Sequence, residues 1–126
     1  MVLMFQKELA QRIVSQSDSK SYSRISVMCQ VYCEVTIEFT ISRNVFKPRP
    51  EVDSSVLKFR KKDLNLPEIA PFSRFVRQVF SQRRKKLKNN LPEAFHAGVL
   101  DKWSHMRPEQ ISPKEYIQIF NLIYVG

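Results

Sequence analysis

Glycine is almost missing from this sequence, which has only Gly98 and Gly126 among its 126 residues. A loop that cradles a phosphate or a nucleotide needs glycines, because its backbone N–H groups must come close to the ligand. No glycine-rich loop of that kind occurs in the chain. If the protein works with a nucleotide-like cofactor, we therefore expect that cofactor to bind outside this stretch of sequence.

Cysteine and histidine are equally scarce, with two residues of each type. Cys29 and Cys33 are four residues apart, a spacing that puts both on one face of a helix and is a poor disulfide geometry. The histidines lie far along the chain and complete no recognisable metal motif. We therefore predict free cysteines that pack in a core, a reducing, intracellular compartment and no metal site.

Long apolar runs are absent as well. The longest, such as "MVLMF" at residues 1–5, are far too short to span a bilayer. The sequence also shows no secretory pattern of a charged start, a long apolar run and a small-residue cleavage site. We expect a cytoplasmic protein without a membrane partner.

Positive charge, in contrast, is abundant: 21 Lys and Arg against 12 Asp and Glu give a net charge of +9. This balance points to a polyanionic partner, and to nucleic acid before a membrane. The charge is concentrated in residues 72–90, "FSRFVRQVFSQRRKKLKNN", which contain no acidic residue. A merely solvated helix face normally mixes both signs. The candidate contacts to nucleic-acid phosphates, sugars and base edges are Arg74, Arg77, Gln82, Arg83, Arg84, Lys85, Lys86, Lys88, Asn89 and Asn90.

The first 62 residues predict an α/β portion. The apolar run at residues 2–5 is typical of a buried strand that leads into a helix. "SSVLKF" and the strict alternation from Val35 to Ile41 predict two more strands, the latter half-buried. Ahead of both of these strands, apolar residues at three- and four-residue spacing predict an amphipathic helix with one face made of Ile25, Met28, Cys29, Tyr32 and Cys33.

Beyond a boundary at residues 61–71 the strand signals vanish and the patterning becomes helical. We predict a helical domain at residues 63–126, with Trp103 as one of its anchors. Ser112, Pro113 and Glu115 form a complete helix-start signal for its last helix. Earlier helices are predicted from "RRKKLKNNL", after a break near Ser81, from "PEAFHAGVL", and from an apolar face made of Phe72, Phe75, Val76, Val79 and Phe80.

The apolar strand at residues 2–5 needs neighbours on both sides and cover on both faces. The first sixty residues predict too few strands to supply them. Either the chain oligomerises through the open sheet edge, or it is the latter part of a larger domain. We favour the second.

Prolines stiffen the segment "VFKPRPEVDSSVLKF" at residues 45–59. Pro48 and Pro50 fix their own backbone angles, remove two N–H donors and push the preceding residues towards extended conformations. They hold Phe46 in a defined direction. Such a rigid wall occurs both in plain surface loops and at the edges of binding pockets.

Five segments are familiar in their order along the chain: "MFQKELAQRIV", "YSRISVMCQVYCEV", "VFKPRPEVDSSVLKF", "FSQRRKKLKNNL" and "RPEQISPKEYIQIFN". Together they resemble successive signatures of the ribosomal RNA adenine dimethyltransferases of the KsgA/RsmA type. The resemblance implies a class I, Rossmann-like methyltransferase sheet, of which this chain would carry the C-terminal part, followed by a small helical RNA-binding domain.

The resemblance also implies an activity. The family transfers methyl groups from S-adenosylmethionine to the exocyclic amines of two adjacent adenosines near the 3′ end of small-subunit ribosomal RNA, and acts late in small-subunit assembly. Its glycine-rich cofactor loop and its Asn-Leu-Pro-Tyr-type catalytic motif would lie upstream of Met1. We therefore expect this chain alone to bind no S-adenosylmethionine and to be inactive.

In this family, the ring that corresponds to Phe46 lines the target-base pocket, so the resemblance implies that Phe46 stacks on the adenine while Pro48 and Pro50 form the pocket wall. Base–aromatic stacking is worth about 1–3 kcal/mol per base. The alternative is that Phe46 only plugs the edge of the sheet.

Three other functions stay open from the sequence. One is a stand-alone ribosomal RNA-binding module without catalysis. Another is a large-subunit ribosomal RNA adenine methylase of the antibiotic-resistance type, which shares the Phe-x-Pro-x-Pro-like element. The third is a helical DNA-binding protein.

Overall fold

Three strands form one sheet in the order β1-β3-β2, with β1 at Val2–Gln6, β2 at Cys33–Ile41 and β3 at Ser54–Lys61. The computed structural model describes residues 1–62, 65–91 and 101–124. Both outer strands are antiparallel to β3, so β1 and β2 run parallel to each other. Their connection contains the helices α1 (Lys7–Val14) and α2 (Arg24–Tyr32). Within residues 1–62, the predicted order of strands and helices is confirmed.

One face of the sheet is covered by these helices. Ala10 and Ile13 of α1 pack against Leu57, and the partly buried side chains around them include Phe5 and Cys29. Because neighbouring residues of a strand point to opposite faces, Val56 lies on the other side of the sheet from Leu57.

The opposite face is largely bare within the described residues. Met4, Val56 and Phe39 pair across the three strands in one row. Val56 in the middle is 8% exposed, whereas Met4 and Phe39 at the two sides are 54% and 55% exposed. The prediction of a buried strand at residues 2–5 is therefore wrong for the described chain, and β2 is more exposed than half-buried. The apolar side chains of β1 and β2 make these strands suitable for burial, but the described chain provides no second layer to cover them.

The predicted face of α2 is also partly wrong. The helix ends at Tyr32, and Cys33 begins β2 instead. Val27 and Val31 are fully buried in the helical core, whereas Cys29 faces the sheet core and Ile25 is exposed. A helix between two cores buries side chains on two sides, which a one-face pattern does not describe. Both cysteines are free, as predicted, but both are only partly buried, and of the two only Cys29 packs against a described core cluster. Burial together with the neighbouring Cys33 thiol raises the pKa of the Cys29 thiol.

The remaining helices build an aromatic core. They are α3 (Ile69–Phe80), α4 (Leu87–Asn90) and α5 (Pro113–Tyr124). The predicted apolar face of α3 is confirmed, with four of its five residues buried and Phe80 partly buried against them. Short 3-10 turns at Arg43–Val45, Asp101–Trp103 and Pro108–Gln110 complete the described elements. The helix predicted from "PEAFHAGVL" lies outside the described residues.

The predicted start of α5 is confirmed by its hydrogen bonds. The Ser112 N–H donates to the Glu115 carboxylate, and the Glu115 N–H donates to the Ser112 hydroxyl, both at 3.2 Å. The Trp103 indole N–H donates to the other Glu115 oxygen at 3.0 Å. Burial tends to raise the pKa of Glu115, but these hydrogen bonds and the charge of Lys102 outweigh it, so the pKa lies below its usual value. Trp103 thereby anchors the helical core, as predicted.

Candidate nucleic-acid interface

The Phe46 loop, residues 42–53, connects the carboxyl end of β2 to β3. Phe46 is half-buried in this loop, and Pro48 and Pro50 are exposed. Ligands of open α/β sheets bind beyond the carboxyl ends of the parallel strands, which here are β1 and β2. The loop therefore lies at the edge of the sheet where a substrate pocket is expected.

One backbone hydrogen bond ties the end of the Phe46 loop to α1, and Arg43 makes two more within the loop. The N–H of Lys7 donates to the Asp53 carbonyl oxygen at 2.9 Å, and the N–H of Arg43 donates to the Asp53 carboxylate at 2.9 Å. The Arg43 guanidinium also donates to the Glu51 carbonyl oxygen at 2.8 Å. Since Lys7 is the first residue of α1, the loop is held against that helix.

The basic residues lie on two neighbouring elements. Arg74 and Arg77 are exposed on α3, away from its buried face. The other predicted nucleic-acid contacts, apart from Asn90, lie within residues 82–89. We call residues 82–88 the basic segment. Most side chains of this group are exposed, and they are Gln82, Arg84, Lys85, Lys86, Lys88 and Asn89.

The basic segment is not the helix that the sequence predicts. Residues 81–85 form a turn, and α4 covers only Leu87–Asn90. The reason is Asn90, whose side-chain amide donates to the carbonyl oxygens of Val79, Gln82 and Lys85 at 3.1, 3.3 and 3.4 Å. The amide nitrogen of Asn90 is thus used within the turn, and a contact of this residue to nucleic acid stays a prediction.

Arg83 differs from the other cations of the basic segment because, within the described part of the chain, its side chain has polar partners. Its Nε lies 3.7 Å from Oε2 of Glu109, and its Nη2 donates to the Lys20 carbonyl oxygen at 3.1 Å. Sequence patterning did not identify Glu109 or Lys20, since both lie far from the basic segment along the chain. No local signal indicates the pairing.

One face of α1 connects the Phe46 loop with the basic segment. A cleft of about 280 Å³ lies between α1 and the end of the loop, at Val52 and Asp53. A second cleft, of about 340 Å³, lies between α1 and Arg83. Glu8 and Gln11 line both clefts. One side of α1 thus adjoins both the end of the Phe46 loop and Arg83, whereas Phe46, Pro48 and Pro50 are not among the residues that line either cleft.

Within residues 1–62, 65–91 and 101–124, no group of three or more His, Cys, Asp or Glu side chains is placed to hold a metal ion. None of the described helices is long and apolar enough to cross a membrane.

Comparison with known proteins identifies the family. The sequence profile of a family described as "Ribosomal RNA adenine dimethylase" matches residues 1–124. The chain belongs to this family. It is 36% identical over 138 aligned residues to "Ribosomal RNA small subunit methyltransferase A" of Mycoplasma capricolum subsp. capricolum, covering 99% of this chain and 51% of the relative. The chain therefore spans about half the length of such a relative.

Solved structures of similar proteins support a methyltransferase fold for this dimethylase-family chain. A dimethyladenosine transferase from Plasmodium falciparum superposes with a TM-score of 0.81 at 24% identity, covering 94% of this chain and 54% of that one. The 23S rRNA methyltransferase ErmE superposes with a TM-score of 0.68 at 18% identity, covering 97% of this chain and 53% of that one. At these identities the likeness concerns the fold alone.

Proposed function

We propose that this chain is the C-terminal portion of an S-adenosylmethionine-dependent small-subunit ribosomal RNA adenine dimethyltransferase that works in the cytoplasm. The observation that carries the proposal is the family match over residues 1–124, together with a length of about half that of the Mycoplasma relative. In this proposal the other half of such a protein supplies the cofactor loop and the catalytic motif. This chain supplies ribosomal RNA binding and one wall of the target-base pocket, but neither binds the cofactor nor reacts alone.

The open edge of β1 supports the proposal that further strands continue the sheet on that side. β1 pairs only with β3 among the described strands, and its Val2 and Met4 side chains are more than half exposed on the bare face. An unpaired, apolar strand edge is a site where another strand can add. We propose that strands and helices of the other half of the domain continue the sheet beyond β1 and cover that face.

The domain division that we propose keeps residues 1–62 as the methyltransferase portion and residues 63–126 as a helical RNA-binding domain. α2 joins them, because Val27 and Val31 pack with the aromatic core of the helices. The proposed RNA contacts are the exposed cations and amides on α3 and around the basic segment: Arg74, Arg77, Gln82, Arg84, Lys85, Lys86, Lys88 and Asn89.

A methylation assay tests the proposal. The chain would be joined in frame to the half of the Mycoplasma capricolum relative that it does not match, and supplied with methyl-labelled S-adenosylmethionine and a 3′-terminal transcript of small-subunit ribosomal RNA. We expect label to enter the RNA with the chimera and none to enter with the chain alone. Methylation by the chain alone would contradict the proposal, as would a folded chimera that binds the transcript and transfers no methyl group.

Phe46→Ala in the same chimera tests the pocket wall. Loss of base–aromatic stacking, about 1–3 kcal/mol, corresponds to a methylation rate that is about 5- to 150-fold lower. Binding of the transcript should change little, because the basic residues supply most of the affinity. The matched control is Val45→Ala, an exposed apolar residue next to Phe46. Equal rates for the Phe46 and Val45 variants would remove Phe46 from the site.

A second candidate function is methylation of the large-subunit RNA, and the observation that favours it is the Phe-x-Pro-x-Pro element at Phe46, Pro48 and Pro50, which resembles that of the antibiotic-resistance methylases. Competition between small-subunit and large-subunit transcripts for the active chimera separates the two. Preference for a large-subunit transcript would replace the small-subunit proposal. If no chimera reacts but the chain binds small-subunit RNA, the stand-alone binding module is favoured.

A further inference from the structure

Arg83 is the only basic residue of the basic segment with an acidic partner among the described ion pairs. Its side chain is 38% exposed, and that of Glu109 is 24% exposed. Oε2 of Glu109 is itself fully buried and has no hydrogen-bond partner among the described residues. A buried carboxylate oxygen is costly unless a cation neutralises it. The Arg83 guanidinium, at 3.7 Å, is the group placed to do so.

Glu109 is held on a rigid turn. The Tyr116 hydroxyl donates to the Pro108 carbonyl oxygen at 2.6 Å, and the Tyr22 hydroxyl donates to the Ile111 carbonyl oxygen at 2.7 Å. Both hydroxyls are buried, and burial is the main cause that raises the pKa of each tyrosine. A tyrosine hydroxyl is protonated at neutral pH, so both act as donors, and their hydrogen bonds hold the turn that carries Glu109 on both sides of that residue.

Residues 15–23 are fixed to the same turn. The N–H of Asp18, which has a positive φ of 71°, donates to the Glu109 carbonyl oxygen at 2.6 Å. Aspartate is among the few residues that adopt this left-handed conformation readily. Arg83 contacts both parts of this assembly, because it donates to the Lys20 carbonyl oxygen and neutralises Glu109.

We propose that Arg83 is a positioning residue, which docks the basic segment onto residues 15–23 and the Glu109 turn. Its charge is neutralised by Glu109, so it contributes no phosphate contact. The phosphate contacts belong to its exposed neighbours, chiefly Arg84, Lys85 and Lys86. The RNA part of this inference rests on the proposed function, whereas the pairing of Arg83 with Glu109 does not.

Four variants of the full chain test the inference: Arg83→Gln, the matched control Arg84→Gln, Glu109→Gln, and the double variant Arg83→Gln with Glu109→Gln. Binding to a 3′-terminal transcript of small-subunit ribosomal RNA is measured over a range of salt concentrations, together with the thermal midpoint. Arg84→Gln should lower the slope of log K against log salt by about 0.7–0.9, as expected for one lost phosphate contact, and leave the midpoint unchanged.

Arg83→Gln should do the opposite. The slope should equal that of the wild type, the affinity should fall by one factor at every salt concentration, and the midpoint should fall by about 4 °C. In the double variant, Glu109→Gln should recover most of the loss in thermal midpoint, because the buried carboxylate charge is removed together with its Arg83 partner.

Two results would overturn the inference. One is a slope of log K against log salt for Arg83→Gln that is as low as that for Arg84→Gln, with an unchanged thermal midpoint. The other is a change in thermal midpoint for the double variant that equals the sum of the changes for the two single variants. If the wild-type chain binds no RNA, the proposed function fails instead. Non-additive midpoints would then still support the pairing of Arg83 with Glu109.

Discussion

Replacing Phe75 by alanine is expected to lower the free energy of unfolding by about 3–5 kcal/mol, the range typical of buried phenylalanines. Phe75 is 1% exposed and lies at the centre of the aromatic core. Its ring centroid is 6.1 Å from that of Phe72, 6.3 Å from Tyr116 and 5.6 Å from Phe120. Truncation removes apolar burial and all of these ring contacts at once, and it leaves a cavity between α3 and α5.

The measurement is denaturant unfolding followed by circular dichroism, with Ile69→Ala as the matched control. Ile69 begins the same helix but is 64% exposed, so its truncation should change the free energy of unfolding by less than about 0.5 kcal/mol. Natural domains are stable by only about 5–15 kcal/mol, so Phe75→Ala should remove a large part of the total. A loss below about 1 kcal/mol would show that the aromatic cluster does not stabilise the fold.

The features that the sequence predicted well depend on neighbouring residues. The buried face of α3 follows from apolar residues at helical spacing, and the start of α5 follows from Ser112 and Glu115, three residues apart. The alternation in β2 marks a strand for the same reason. Side-chain direction in a helix or strand is fixed by local geometry, so these patterns need no knowledge of the rest of the fold.

The burial of β1 and α2 could not be predicted in the same way, because it depends on what packs against these elements. β1 reads as buried, yet Met4 is exposed because no second layer covers that face in the described chain. The sequence of α2 predicts a single apolar face, yet Val27 packs in the helical core and Cys29 packs against the sheet core. In both cases the residue types were informative, but the partner was not encoded nearby.

The candidate site shows the same division. Composition marked the basic segment, and the prolines marked the Phe46 loop. Whether a given cation is available for RNA depends on distant carboxylates, and the pairing of Arg83 with Glu109 only appears in three dimensions. The turn around Asn90 likewise depends on three carbonyl oxygens that the folded chain brings together.

Replacing Arg84, Lys85 and Lys86 together by glutamine should weaken RNA binding on the order of 10²-fold at 0.1 M salt. Each lost phosphate contact removes the release of about 0.7–0.9 counterion, so the slope of log K against log salt should fall by about 2–3. All three side chains are exposed and none is among the described ion pairs, so the fold should be unaffected.

A matched triple variant separates local contact from overall charge. Arg24 on α2 and Lys58 and Lys61 on β3 are exposed cations outside the described ion pairs, and their replacement by glutamine lowers the net charge of +9 by the same three units. If the basic segment contacts RNA directly, this control should keep the wild-type salt slope. Equal losses in both variants would mean that only net charge attracts the RNA, and the interface would have to be sought elsewhere. Duplex DNA added as a competitor at matched salt tests which type of nucleic acid the protein prefers. A DNA-binding protein would release the RNA transcript and bind the duplex.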